Sequence, residues 1–161
     1  MRFIATIALS MLCAGDALSR PLAFPKDCAA LLERTHPSWK TLVPEPEVAT
    51  WARGRRLNPV VTRGDFDGNQ KIDWATIGSI EGKTKLALCV AESTGKSIVV
   101  TEDKGCSDYV YTIRRRTKVP NLEAGTEEVL ATDTVATSCF EKSGRVFVYK
   151  DGTFRVFFNS D

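Results

Sequence analysis

Arg145-Val146-Phe147-Val148-Tyr149-Lys150-Asp151-Gly152-Thr153-Phe154-Arg155-Val156-Phe157-Phe158-Asn159 is the stretch from which the fold class follows. Two runs of β-branched and aromatic residues flank Asp151-Gly152, a dipeptide suited to a type I′ turn because both of its residues tolerate positive φ. Phe147 and Tyr149 fall on one face of the first run, and Val146 and Val148 on the other. In the second run Phe154, Val156 and Phe158 alternate against Arg155 and Phe157. A hairpin that is apolar on both faces is expected to lie in the middle of a sheet or to be covered.

The same pattern extends towards the N-terminus. Strands are expected over residues 73–80, 85–91, 97–101, 109–115 and 134–141, besides 145–150 and 153–159. Turns are expected at Glu81-Gly82, Thr94-Gly95, Lys104-Gly105 and Ser143-Gly144. Residues 121–130, with Gly125 and three glutamates, read as a loop with a strand start. Before the strands, Asp27 is placed to cap a short helix over 28–34, which His36-Pro37 ends. The proline-rich stretch 38–59 reads as irregular or briefly helical, its Trp39 and Trp51 covering the sheet. The expected fold class is mainly β, an antiparallel β-meander in one or more sheets with a short N-terminal helix, stapled by disulfides.

At 161 residues the chain can bury one ordinary core. Met1-Arg2 followed by an apolar run from Phe3 through Ala14 has the form of a signal peptide, with small residues leading to cleavage after Ser19. The expected organisation is therefore a leader over 1–19 and one β-rich domain over 20–161, secreted or periplasmic. Removing the leader removes Cys13 and leaves Cys28, Cys89, Cys106 and Cys139, an even number suited to an oxidising compartment. No C-x-x-C pair supports a zinc site. Of the three connectivities that four cysteines allow, Cys89–Cys106 with Cys28–Cys139 is the expected one. The net charge of +2 points to no nucleic-acid partner, and no segment is expected to insert stably in a membrane.

The chemistry-bearing motif is Asp65-Phe66-Asp67-Gly68-Asn69-Gln70-Lys71-Ile72-Asp73, with oxygen-bearing side chains at positions 1, 3, 5 and 9. Ca²⁺ takes about six to eight oxygens at about 2.3–2.6 Å, so its loop must turn tightly enough to aim alternate residues inward. Gly68 permits that turn, and Ile72 is expected to point into the core and anchor it. An EF-hand loop wants Gly at position 6 and Glu at position 12, where this chain has Gln70 and Thr76.

The stretch from Gly64 to Ala75 resembles the calcium loop of FG-GAP and VCBS repeats, the units of integrin-type β-propellers. The resemblance implies Asp65, Asp67, Asn69, Lys71 through its backbone carbonyl, and Asp73 as Ca²⁺ ligands. It covers this loop and the strand behind it, and one loop cannot supply the several blades of a propeller. A single secreted unit related to such repeats is what it implies.

Other chemistry is thinly represented. The lone histidine, His36, sits beside Pro37 at a helix end, and no nucleophile signature such as G-x-S-x-G is present. No enzymatic activity is expected. Two basic clusters, Arg53-Gly54-Arg55-Arg56 with Arg63 and Arg114-Arg115-Arg116-Thr117-Lys118, would suit an acidic partner, anionic lipid or polysaccharide. The simpler reading is solvated strand ends that discourage edge-to-edge aggregation. The sequence therefore points first to a calcium-stiffened secreted module with a structural or partner-binding role. An inhibitor or immunity-type protein that binds another protein comes second, and a secreted hydrolase third.

Overall fold

The computed structural model describes residues 22–159 except 106, 123, 141 and 143, with backbone alone at 158 and 159. The expected leader, its cleavage after Ser19 and Cys106 lie outside the described residues. In chain order the elements are α1 (Lys26–Thr35), β1 (Lys40–Thr41), α2 (Pro46–Gly54), β2 (Val61–Gly64), β3 (Asp73–Ile80), β4 (Lys83–Ala91), β5 (Lys96–Glu102), β6 (Tyr109–Ile113), β7 (Lys118–Asn121), β8 (Thr126–Val129), β9 (Thr134–Ser138), β10 (Gly144–Lys150) and β11 (Thr153–Asn159). The first sheet runs β1-β3-β4-β5, with β2 also on β3; the second runs β11-β10-β9-β6; β7 and β8 form a separate ribbon. All pairings are antiparallel. The mainly β, antiparallel expectation therefore holds.

Alternation along the strands builds the core. Ala75 and Ile77 of β3 and Leu86, Leu88 and Val90 of β4 meet Val110, Val135 and Phe147 of the second sheet. The opposite face of the second sheet carries Val146 and Phe157, which close a smaller core with Val119 and Leu130 at the ribbon. This explains the doubly apolar final hairpin: it is covered on both faces rather than central, since β11 is a sheet edge. Asp151 and Gly152 have φ of 51° and 78°, as a type I′ turn requires.

All seven expected strands form. Three others, β1, β2 and β7, were not expected; β1 and β2 are two and four residues long, too short for alternation to register. Residues 121–130 yield the end of β7 and all of β8, and Pro120 is tolerated because a two-stranded ribbon is all edge.

The helices correct two expectations. Pro25 rather than Asp27 stands at the N-cap of α1. Asp27 lies in the first turn, where its carboxylate accepts from the Cys28 amide and pairs with Lys96 of β5 at 2.6 Å. The second correction is the disulfide, which joins Cys28 to Cys89 and so excludes both expected pairings. The inward side chains of β4 are Leu86, Leu88 and Val90, so the pleat turns Cys89 to the outer face, where α1 and its buried Cys28 dock. Cys139 is disulfide-bonded as well.

Both tryptophans cover sheets, as expected. The Trp39 ring lies so close over Gly78 of β3 that a Cβ there would come within 2.5 Å of it. Trp51 of α2 packs on Tyr109 of β6 and on Phe140. No described helix is long and apolar enough to cross a membrane, and the disulfides fit an oxidising compartment.

Candidate metal centre

Gly64 and Asp73 face each other in the β2–β3 ladder, so residues 65–72 are the connection of a hairpin. Phe66 anchors this connection: it is 1% exposed and belongs to the main core. Ile72, expected in that role, is 54% exposed. The reason is the pleat, because Asp73, Ala75 and Ile77 share the inward face of β3 and the residue before Asp73 is turned outward.

Asp73 is fully buried and organises the loop. One of its oxygens accepts from the Phe66 amide at 2.9 Å and the Asp67 amide at 3.4 Å; the other accepts from the Ala91 amide at 2.8 Å. Burial pushes the Asp73 carboxyl above the ordinary range, with the Asp67 charge adding to it, against the pull of the amides.

The middle of the loop is held by its own side chains. Asp67 accepts from the Asn69 amide at 3.0 Å and from the Asn69 side chain at 2.7 Å, and Asn69 Oδ1 accepts from the Lys71 amide at 2.8 Å. Asn69 Nδ2 also donates to the Ala91 carbonyl, and the Lys71 ammonium donates to that of Glu92 at 2.6 Å. Gly68 and Gln70 both adopt positive φ, 81° and 67°. Position 6 of the ligand array therefore has the left-handed backbone that an EF-hand gives to glycine, although the residue is Gln70.

Asp65 completes the group. Its amide donates to Asp133 Oδ2 at 3.3 Å, while its own Oδ1 is buried without a hydrogen-bond partner among the described residues. Carboxylate oxygens of Asp65, Asp67 and Asp73 lie within 4.8 Å of one another. Like charges at that separation repel by about 3 kcal/mol per pair at an effective dielectric constant of about 20, which a hard divalent cation offsets while using the oxygens as ligands. Of the five residues expected at the site, these three converge. Asn69 and Lys71 lie in the same loop and take part in its internal hydrogen bonds.

Residues far away in sequence support the loop. Asp133 accepts from the Arg115 amide at 3.0 Å and Arg114 Nη1 at 2.9 Å as well as from Asp65. Burial would raise the Asp133 carboxyl, but these donors outweigh it and hold the group below its ordinary value. Burial raises the Tyr149 hydroxyl above its ordinary value, and the charges of Asp67, Glu92 and Asp73 raise it further. Neither residue had a local signal, since the strand order alone brings them here. Compared with models of protein families, with curated proteins and with solved structures, the chain matches none.

Proposed function

We propose that the chain is a secreted or periplasmic calcium-binding β-module with a structural or partner-binding role, in which Ca²⁺ stiffens the loop from Asp65 to Asp73. The observation that carries this reading is the convergence of the Asp65, Asp67 and Asp73 carboxylates, together with Asp65 Oδ1, a buried oxygen that has no hydrogen bond among the described residues. A buried acceptor left unpaired costs about 1–3 kcal/mol, and a cation supplies its missing partner. Asn69 Oδ1 and the Lys71 carbonyl would add ligands, as the resemblance to FG-GAP and VCBS loops implies.

Calcium titration by calorimetry, with melting curves in calcium and in chelator, tests the proposal. One site with a Kd of about 0.1–1 mM is expected, as for extracellular modules. At tenfold excess over Kd it would stabilise the fold by about 1.4 kcal/mol. Asp65→Asn is the informative variant, because no hydrogen bond to the Asp65 side chain is lost. It should melt no lower than wild type in chelator and gain nothing from calcium. A wild-type protein that shows neither heat nor a melting shift at millimolar calcium would reduce the loop to a turn capped by its own side chains.

A further inference from the structure

Two arginine clusters that are remote in sequence border one groove. It has a volume of about 430 Å³ and runs along the seam where β2 and β6, each at the edge of its sheet, face each other. Thr62 and Thr112 bridge the seam with a hydroxyl–hydroxyl bond of 2.7 Å. Arg56, Arg63 and Arg114 supply the charge; Trp51, Tyr109 and Leu57 supply apolar surface.

The chemistry of the lining narrows what fits. No lining residue is acidic, and among the described residues neither Arg56 nor Arg63 forms a salt bridge. The Arg114 side chain pairs with Asp133 yet is 72% exposed. The one lining amide, Asn58, is committed to the Leu22 carbonyl at 2.6 Å and the Val60 amide at 2.9 Å, which leaves the hydroxyls of Thr62, Tyr109, Tyr111 and Thr112 as the side-chain acceptors of the lining. These hydroxyls donate as readily as they accept and do not select a neutral sugar, whereas a carboxylate needs only donors and gains most from the arginines. Base stacking is also disfavoured, since the Trp51 ring is flanked by Arg55 at 4.7 Å and Tyr109 at 4.9 Å and edged by Phe140. What remains is a chain bearing carboxylates on an aliphatic frame. Trp, Tyr and Arg around a partly apolar centre is also the composition of protein-binding hot spots.

We propose that this groove binds a short acidic peptide segment of a partner protein, its carboxylates on Arg56 and Arg63 and its apolar side chains on Leu57 and the Tyr109 edge. The proposal gives chemistry to the partner-binding role above and does not depend on the cation, so each can fail without the other.

The test is fluorescence anisotropy of a labelled synthetic peptide alternating Glu and Leu, at low ionic strength, in calcium and in chelator. Saturable binding is expected in both. The pair Arg56→Glu with Arg63→Glu should weaken it more than about tenfold, while Lys150→Glu, at the end of β10 and outside the residues that line the groove, leaves it unchanged. Leu57 is half exposed, so Leu57→Ala should fold normally and weaken binding severalfold, which a purely electrostatic contact would not show. Three results would overturn the proposal: no saturable binding, equal loss in Lys150→Glu, or tighter binding of a sulfated oligosaccharide or single-stranded DNA of matched charge.

Discussion

Gln70 sits at φ 67° in a loop where Gly68 already supplies one left-handed position. A residue with a Cβ pays roughly 1–2 kcal/mol there, so the two positions should respond in opposite directions. Gly68→Ala should destabilise by about 1–2 kcal/mol. Gln70→Gly should be neutral or stabilising by less than about 1 kcal/mol, because the relief of strain is partly cancelled by added freedom in the unfolded chain. Urea melts of both variants in chelator check this without involving calcium. Asp133 is a second test at this scale. Its carboxyl is held below its ordinary 3.8 in the folded protein, so the native state binds fewer protons than the unfolded state between the two values. Its contribution should be complete above the ordinary value and disappear as pH falls through the lowered native one. Asp133→Asn should therefore lose stability at neutral pH and converge on wild type in acid. Equal losses at both pH values would show that the charge of Asp133 is not what matters.

At the scale of elements, the loop is fastened by its second residue rather than its eighth. Phe66→Ala removes a buried ring from the main core and should cost about 3–5 kcal/mol, whereas Ile72→Ala at an exposed position should stay within about 0.5 kcal/mol. The reverse order in denaturant melts would mean that Ile72 is the anchor after all. The alternation of β3 was legible in the sequence, but its inward face begins at Asp73, a charged residue that hydropathy alone assigns to solvent. Three backbone amides make that burial tolerable, and nothing in the local sequence announces them. The same limit hid β7, a four-residue strand whose Pro120 is tolerated because the two-stranded ribbon is all edge.

At the scale of the whole molecule, the strands of the described residues form two sheets and a ribbon, with α1 tied to the first sheet by the disulfide. Cys28 and Cys89 are 61 positions apart, and closing a loop of that size restricts the unfolded chain by about 4 kcal/mol in the chain-entropy account. Replacing both by Ala should lower stability by an amount of that order. Peptide mapping of the oxidised protein should recover a Cys28–Cys89 peptide, and a Cys28–Cys139 peptide in its place would refute the docking of α1 on β4. Spacing favoured Cys89–Cys106 because the two are near enough in the chain to staple neighbouring strands. A disulfide instead follows which side chains share a face, and the pleat of β4 decides that.

The sequence by itself determined the class of fold, seven of the strands, the type I′ turn at Asp151-Gly152 and the compact loop with its three aspartates. Each of these is a local property, carried by side-chain period, turn chemistry or spacing within about ten residues. The tertiary structure decided the partner of Cys28, the burial of Asp73, the support of Asp65 by Asp133, and the meeting of Arg56, Arg63 and Arg114 at one groove. Those outcomes depend on which strand edges and faces come together, a choice made by the packing of the whole core rather than by any one segment.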